Sequence, residues 1–257
     1  MKAFDDLKME ETLDEILNGG LRFFQKKKGY RFSIDSILIA HFASLKKRAK
    51  FMDIGCGSGV ILLIAAKRFP GAGGVGLEIQ EDLAALASKN VQINHLENRV
   101  DIIHSSAQNV KNIFVERSFN SVIFNPPYRK LNSGRTNPLE EKAIARHEIK
   151  GSLKDFLQAA KYLLKPAGTV FTIYPAKRLV ELMCLFRENG IEPKRMKLIF
   201  SDTSSDAEFA LVEGKKGSRE ELKLEPSLII YDRNRKYSTA MNDIFNELSH
   251  FPADGGG

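Results

Sequence analysis

Phe51-Met52-Asp53-Ile54-Gly55-Cys56-Gly57-Ser58-Gly59-Val60 reads as a strand, a glycine-rich turn and the start of a helix. Phe51 to Ile54 is a short apolar run broken by one acid, and Val60 to Phe69 is an apolar run of helix length. Glycines at 55, 57 and 59 permit a tight turn and a close backbone approach to a ligand at the helix N-terminus. The alternation then repeats. Gly74 to Glu78 is a predicted strand, Glu81 to Asn94 a helix, Arg99 to His104 a strand followed by a weak helix to about Val115, and Phe119 to Asn125 a strand. Leu153 to Leu164 is a helix stopped by Lys165-Pro166-Ala167-Gly168, Thr169 to Tyr174 a strand, and Lys177 to Glu188 a helix ended by Asn189-Gly190. Met196 to Phe200, Glu208 to Val212 and Leu228 to Tyr231 are later strands with little helix between them. Repeated βα units predict an α/β fold with a mostly parallel, doubly wound sheet and an antiparallel C-terminal edge.

Upstream of that core, residues 1–20 read as a helix or a loose arm with Leu7, Leu13, Ile16 and Leu17 on one side. Leu21 to Gln25 and Tyr30 to Phe32, with Lys26-Lys27-Lys28-Gly29 between them, suggest a β-hairpin. Ser33 or Asp35 can cap a helix carrying Ile34, Ile37, Leu38, Ile39, Phe42 and Leu45. The expected division is an N-terminal extension of helix, hairpin and helix (1–45), a core domain (46–235) and a tail (236–257).

The charge is uneven. The chain is +7 overall, yet residues 1–20 set Lys2 and Lys8 against Asp5, Asp6, Glu10, Glu11, Asp14 and Glu15, so the remainder is +11. Such a surplus fits a polyanionic partner, nucleic acid first, or simply a soluble basic surface. Cys56 and Cys184 have no paired spacing, so neither a disulfide framework nor a metal site is expected, and a reducing cytoplasm is the expected location. The acidic N-terminus lacks an apolar signal segment, and Val60 to Ala66 is far too short to span a membrane. A monomer is expected.

Two clusters of residues carry chemistry. In the first, Asp53 precedes the glycines, where a pyrophosphate site would avoid negative charge, and the spacing is G-C-G-S-G, not G-x-G-x-x-G. An acid there suits a cationic ligand such as S-adenosylmethionine (SAM), with its amino group and sulfonium; a nicotinamide dinucleotide is the alternative for this loop taken alone. Glu78 ends the next strand, where an acid can take both hydroxyls of a ribose. The second cluster is Asn125-Pro126-Pro127-Tyr128. A strand running into two prolines must stop, because neither has an N–H and both fix φ. The result is a stiff corner with an amide, a free carbonyl and a phenol ring at a strand's C-terminal end, where open α/β sheets bind ligands.

In these residues the chain resembles the class I SAM-dependent methyltransferases, over roughly 21–232. The resemblance implies a Rossmann-like, seven-stranded sheet with helices on both faces. It implies that Asp53 and the loop at Gly55, Cys56, Gly57 and Gly59 surround the methionine part of SAM, that Glu78 takes the ribose, and that Ile79 packs beside the adenine. Ala107 falls where the family contacts the adenine from the third strand's exit. The family often has an acid just before that alanine; here it is Ser106, whose hydroxyl can still accept a hydrogen bond. The N-P-P-Y corner resembles that of enzymes methylating planar amino nitrogens. There Asn125 and the carbonyl of Pro126 would accept hydrogen bonds from the target N–H groups and aim a poor nucleophile at the methyl group, while Tyr128 offers a stacking face.

Arg129 to Lys150 is a long polar segment of net +3, counting Arg129, Lys130, Arg135, Lys142, Arg146 and Lys150 against Glu140, Glu141 and Glu148. It suits gripping a phosphate backbone over a flipped base, with Arg129, Lys130, Arg135 and Arg146 as RNA-binding candidates, or it is a solvated flap. Tyr30 to Asp35, the corner and Arg146-His147-Glu148 together are most similar to the bacterial family that methylates adenine N6 next to the anticodon of a valine tRNA. That similarity implies that Tyr30, Ser33 and Asp35 close over SAM. The alternative for Tyr30 and Phe32 is plain packing of a hairpin. Lys194-Arg195-Met196-Lys197 and Lys215-Lys216 read as solvated faces or as an extension of an RNA track. The leading expectation is therefore a SAM-dependent adenine-N6 methyltransferase acting on structured RNA. Glutamine methylation in a protein and guanine-N2 methylation in ribosomal RNA are the alternatives.

Overall fold

The computed structural model describes residues 11–17, 19–27, 33–127 and 151–251. Glu11–Ile16 (β1) and Leu21–Lys26 (β2) form an antiparallel hairpin, with Leu13 opposite Phe24 and Ile16 opposite Leu21. The expected helix or arm over residues 1–20 is therefore corrected: its second half is a strand. The physical reason is Asn18-Gly19-Gly20, a strong hairpin turn signal. Gly19 has φ +81°, and the Gly20 N–H donates to the Leu17 carbonyl at 3.0 Å. The strand pairing with Leu21 to Lys26 thus lies before it in the chain; the second arm expected at Tyr30 to Phe32 lies outside the described residues.

Helix α1 (Ile34–Phe42) leads into β3 (Lys50–Ile54), α2 (Val60–Arg68), β4 (Gly73–Glu78), α3 (Glu81–Ile93) and β5 (Val100–His104). A short 3₁₀ turn and α4 (Val110–Ile113) then lead to β6 (Phe119–Phe124). After the corner come α5 (Leu153–Leu163), β7 (Leu164–Pro175), α6 (Leu179–Glu188), β8 (Ile191–Phe200) and β9 (Ala207–Lys216). Two-residue strands β10 (Lys223–Leu224) and β11 (Leu228–Ile229) and helix α7 (Thr239–Ser249) close the chain.

The sheet order is β10-β8-β9-β7-β6-β3-β4-β5, with β11 also on β8. Seven long strands make up the expected sheet; the two short ones only extend its β8 edge, giving nine. Among the described residues, β9 is the one long strand of this sheet that runs antiparallel to the neighbours on both sides, inserted between β7 and β8. Helices cover both faces, as period-two alternation requires. Phe51, Ile123, Phe171 and Leu211 face the layer of α1, α2, α3 and α7, while Met52, Val122, Val170 and Val212 face that of α4, α5 and α6. Close packing explains the glycines of β4: a Cβ at Gly76 would lie 2.8 Å from the Cys56 sulfur, Ile102 and Leu62.

Part of the expected tail is a helix that the sequence reading did not find. In α7, Met241 and Leu248 are fully buried, and Glu247 lies 2.8 Å from His41 of α1. Members of both later basic runs are engaged by the fold. Arg195 bonds Glu213, Glu225 and the Phe42 carbonyl and lies over the Phe42 ring, Lys197 pairs with Glu225, and the Lys216 ammonium is held by the Lys161 and Leu164 carbonyls at the end of α5. Among the described residues no helix is long and apolar enough to cross a membrane.

Candidate active site

Strand register brings the two clusters together. Ile54 is level with Leu77 of β4 on one side and Phe124 of β6 on the other. Gly55, Glu78 and Asn125 therefore leave three adjacent strands at one edge of the sheet, with roughly 10 Å separating the corner from the acid across β3. Ser105 and Ser106 leave β5 at the same edge, since Glu78 is level with His104.

The loop between β3 and α2 is held by its neighbours. Gly55, Gly57 and Gly59 all have positive φ, at +72°, +57° and +88°, where a side chain would be strained. The N–H groups of Gly55 and Cys56 donate to the Leu77 carbonyl at 2.7 and 3.1 Å. The side chain of Cys56 is buried against Gly76 and burial pushes its thiol well up, so this position offers a ligand backbone and not a nucleophile.

Glu78 is 4% exposed and committed on both oxygens: Oε2 accepts from the Gly57 N–H at 2.9 Å, and Oε1 from the Gln80 N–H at 2.9 Å. Asp53 is 0% exposed, and neither of its oxygens has a partner of normal hydrogen-bond geometry. Burial, and then the charge of Glu78, push its carboxyl up to about 8, opposed weakly by the Leu62 backbone. An orphaned buried acid behind a glycine loop favours a cationic ligand on the loop's open side, so the residues present fit SAM. With no exposed surface, Asp53 can reach such a ligand only through its field across the loop.

The remaining predicted positions fall around this edge. Asn125 and Pro127 are half-buried and Pro126 is buried directly after β6. The Ile79 carbonyl is 2.9 Å from His104 Nε2. Ala107 is buried, and Ser106 precedes it without spending its side chain on a cap. Ser33 is the residue before α1 and Asp35 lies in its first turn; burial raises the Asp35 carboxyl, a hydrogen bond with Ser33 opposes this, and Glu208 at the start of β9 adds repulsion. Tyr30, Tyr128, Arg129, Lys130, Arg135 and Arg146 lie outside the described residues. Among the described residues no group of three or more His, Cys, Asp or Glu could hold a metal.

Asn90 is a supporting residue that the sequence reading missed. Fully buried on α3, it accepts from the Phe24 N–H at 2.7 Å and donates to the carbonyls of Phe24 at 3.1 Å and Ser58 at 2.9 Å. One turn on, Asn94 does the same for Arg22, accepting at 3.0 Å and donating at 2.7 Å. Two amides on a helix thus serve as the missing strand for β2, and Asn90 ties the hairpin to the glycine loop. The available signal was a pair of asparagines four residues apart on the apolar face of Leu83, Leu86, Ala87 and Val91.

Comparison with known proteins bears on the same residues. Residues 33–183 match the family model described as methyltransferase small domain. A tRNA1(Val) (adenine(37)-N6)-methyltransferase of Pedobacter heparinus is 28% identical over 67% of this chain and 71% of its own length. The protein of that name in Histophilus somni is 29% identical over 87% and 92%. Among solved structures, one described as a predicted O-methyltransferase from Agrobacterium tumefaciens superposes with a TM-score of 0.68 at 19% identity, covering 85% of this chain and 98% of that one. A SAM-dependent O-methyltransferase from Thermotoga maritima gives 0.53 at 18%, covering 76% and 69%. At such identities the structures speak for the fold alone.

Proposed function

Because the chain belongs to the methyltransferase small domain family and is a SAM-dependent methyltransferase, we propose that its acceptor is the exocyclic N6 of an adenine in structured RNA, a tRNA next to its anticodon. The observation that carries this is the adjacency of the glycine loop and the Asn125-Pro126-Pro127 corner on neighbouring strands β3 and β6. The relatives named for tRNA adenine-N6 methylation and the basic balance of residues 21–257 support it.

SAM, when bound, supplies an electrophilic methyl carbon on a sulfonium. The chain's residues hold and aim. Gly55, Gly57 and Gly59 form the cradle, Glu78 keeps it in shape and offers its remaining lone pairs to a ribose, and Ser106 and Ala107 border the adenine side. At the corner, the Asn125 amide oxygen and the Pro126 carbonyl accept the two N–H bonds of the target amine. An amide does not titrate usefully, so neither acceptor is a general base; they orient the nitrogen and stabilise its developing positive charge, and the proton leaves to solvent. Tyr128 stacks on the base, contributing about 1–3 kcal/mol. Arg129, Lys130, Arg135 and Arg146 contact phosphates, and Tyr30, Ser33 and Asp35 border the cofactor.

The test is incubation with methyl-labelled SAM and separate pools of bacterial tRNA, ribosomal RNA and protein. Label in tRNA, recovered as N6-methyladenosine on nucleoside analysis, is the expected result. Label released only by protease, or recovered as N2-methylguanosine, overturns the adenine assignment.

A further inference from the structure

A second basic feature lies away from the catalytic edge, on the α4–α5–α6 face of the sheet. A cleft of about 580 Å³ runs between α4 and α5, from Ala107 at the adenine side down to Lys161 and Lys216. Helix α5 has 11 residues, so the cleft extends roughly 16 Å from the active edge. Lys111, Arg117, Lys161 and Lys216 line it.

The acids in its wall are already engaged. Asp155 is held in the capping box with Ser152 at the start of α5, and Glu116 pairs with Arg117 at 3.2 Å. Among the described residues neither Lys111 nor Lys161 has an acid partner. The cations are close enough to act on one another: burial, with Arg117 and then Lys161 nearby and Glu116 opposing them, holds the Lys216 ammonium below its usual range. Such a group of like charges gains from an anion between them.

Tyr162 crosses the cleft, its hydroxyl donating to the Phe114 carbonyl at 3.0 Å and its backbone carbonyl accepting from the Arg117 N–H at 3.0 Å, so the backbone that carries Arg117 is fixed in place. One further observation suits a nucleic-acid strand better than a free anion. Ile113 and Val115, on the same connection into β6, are 38% and 79% exposed, offering apolar contact of the kind a sugar or base edge accepts.

We propose that this cleft binds the sugar–phosphate backbone of the RNA substrate at a site remote from the reacting base, with Lys111, Arg117 and Lys161 as the phosphate contacts. This rests on RNA being the substrate. It makes the enzyme a two-point reader: the corner takes the base, and the cleft takes the flanking backbone.

The test compares Lys111→Glu/Lys161→Glu with wild type and with a charge-matched control, Lys46→Glu/Lys47→Glu, both of whose lysines are exposed after α1 on the other face. Unmodified transcripts of bacterial tRNA are used for binding over a salt series and for steady-state transfer. The cleft variant should raise KM for tRNA about tenfold or more and lower the log–log salt slope by about one to two, with kcat at saturating tRNA and SAM affinity unchanged. Control and cleft variants weakened equally would mean general attraction only and overturn the proposal, as would a cleft variant equal to wild type on a tRNA that wild type methylates. A wild type that labels no RNA overturns the function proposed above, and this inference with it.

Discussion

The Gly57 N–H donates to Glu78 Oε2 at 2.9 Å, so the acid that ends β4 also shapes the loop that follows β3. Charge-assisted hydrogen bonds of this kind are roughly twice as strong as neutral ones. Glu78→Gln keeps one acceptor for Gly57 or Gln80 but loses the charge. Its SAM affinity should fall about tenfold, and that of Glu78→Ala further, about a hundredfold, equivalent to roughly 1.4 and 2.7 kcal/mol. Calorimetric titration checks this; equal affinities for Gln and wild type would mean that charge at Glu78 is irrelevant.

Asp53 should make cofactor binding depend on pH. In the free protein its carboxyl is raised to about 8 by burial and by Glu78. A cation bound against the loop favours the ionised form, so binding near pH 7 should release a proton and affinity should rise with pH toward 8. Titrations in buffers of different ionisation enthalpy measure the proton count, which Asp53→Asn should abolish. Stability runs the other way. The folded pKa lies above the unfolded value of 3.8, so the contribution is fully present below about pH 4 and is lost as pH rises through about 8. Between pH 6 and 9 the wild type should lose more melting temperature than Asp53→Asn, and parallel losses would contradict the shift.

Asn90→Ala leaves the buried N–H and carbonyl of Phe24 without partners. At about 1–3 kcal/mol for each unsatisfied group, the fold should lose about 3 kcal/mol. For a chain of this size that lowers the melting temperature by roughly 6–12 °C. Because Asn90 also holds the Ser58 carbonyl, the same variant should weaken SAM binding, whereas Asn94→Ala should destabilise the hairpin with less effect on the cofactor. Equal effects of the two on SAM affinity would remove the link from hairpin to loop.

Asn125→Ala should keep SAM affinity within about twofold and lower the rate of transfer by roughly 10²–10³, the usual cost of removing one preorganised hydrogen-bonding group from a charge-developing centre. Single-turnover rates separate the two. A near wild-type rate would exclude the corner as the aiming device.

Much of this was legible in the chain. Asp53 to Gly59, Glu78 and Asn125 to Pro127 each sit at a strand end marked by glycine, acid or proline, and these local signals depend on backbone stereochemistry that every sequence shares. Helix α7 was not legible, because its apolar stripe of Met241, Ile244 and Leu248 is short and needs α1 and β11 to cover it. Hairpin β1–β2 was not legible, because the lysine-rich run before Gly29 competes with Asn18-Gly19 as a turn signal.

The alternation of strands and helices, the loop that needs glycine and the corner that needs proline belong to the chain alone, since each follows from what one short segment can adopt. Folding in three dimensions settled the rest: Asp53 is sealed without a partner, Glu78 is tied to Gly57, Asn90 stands in for a strand, and Arg195, Lys197 and Lys216 serve the fold. Those outcomes depend on register and packing between segments far apart in the chain, where burial and hydrogen-bond partners are set by neighbours that no single segment contains.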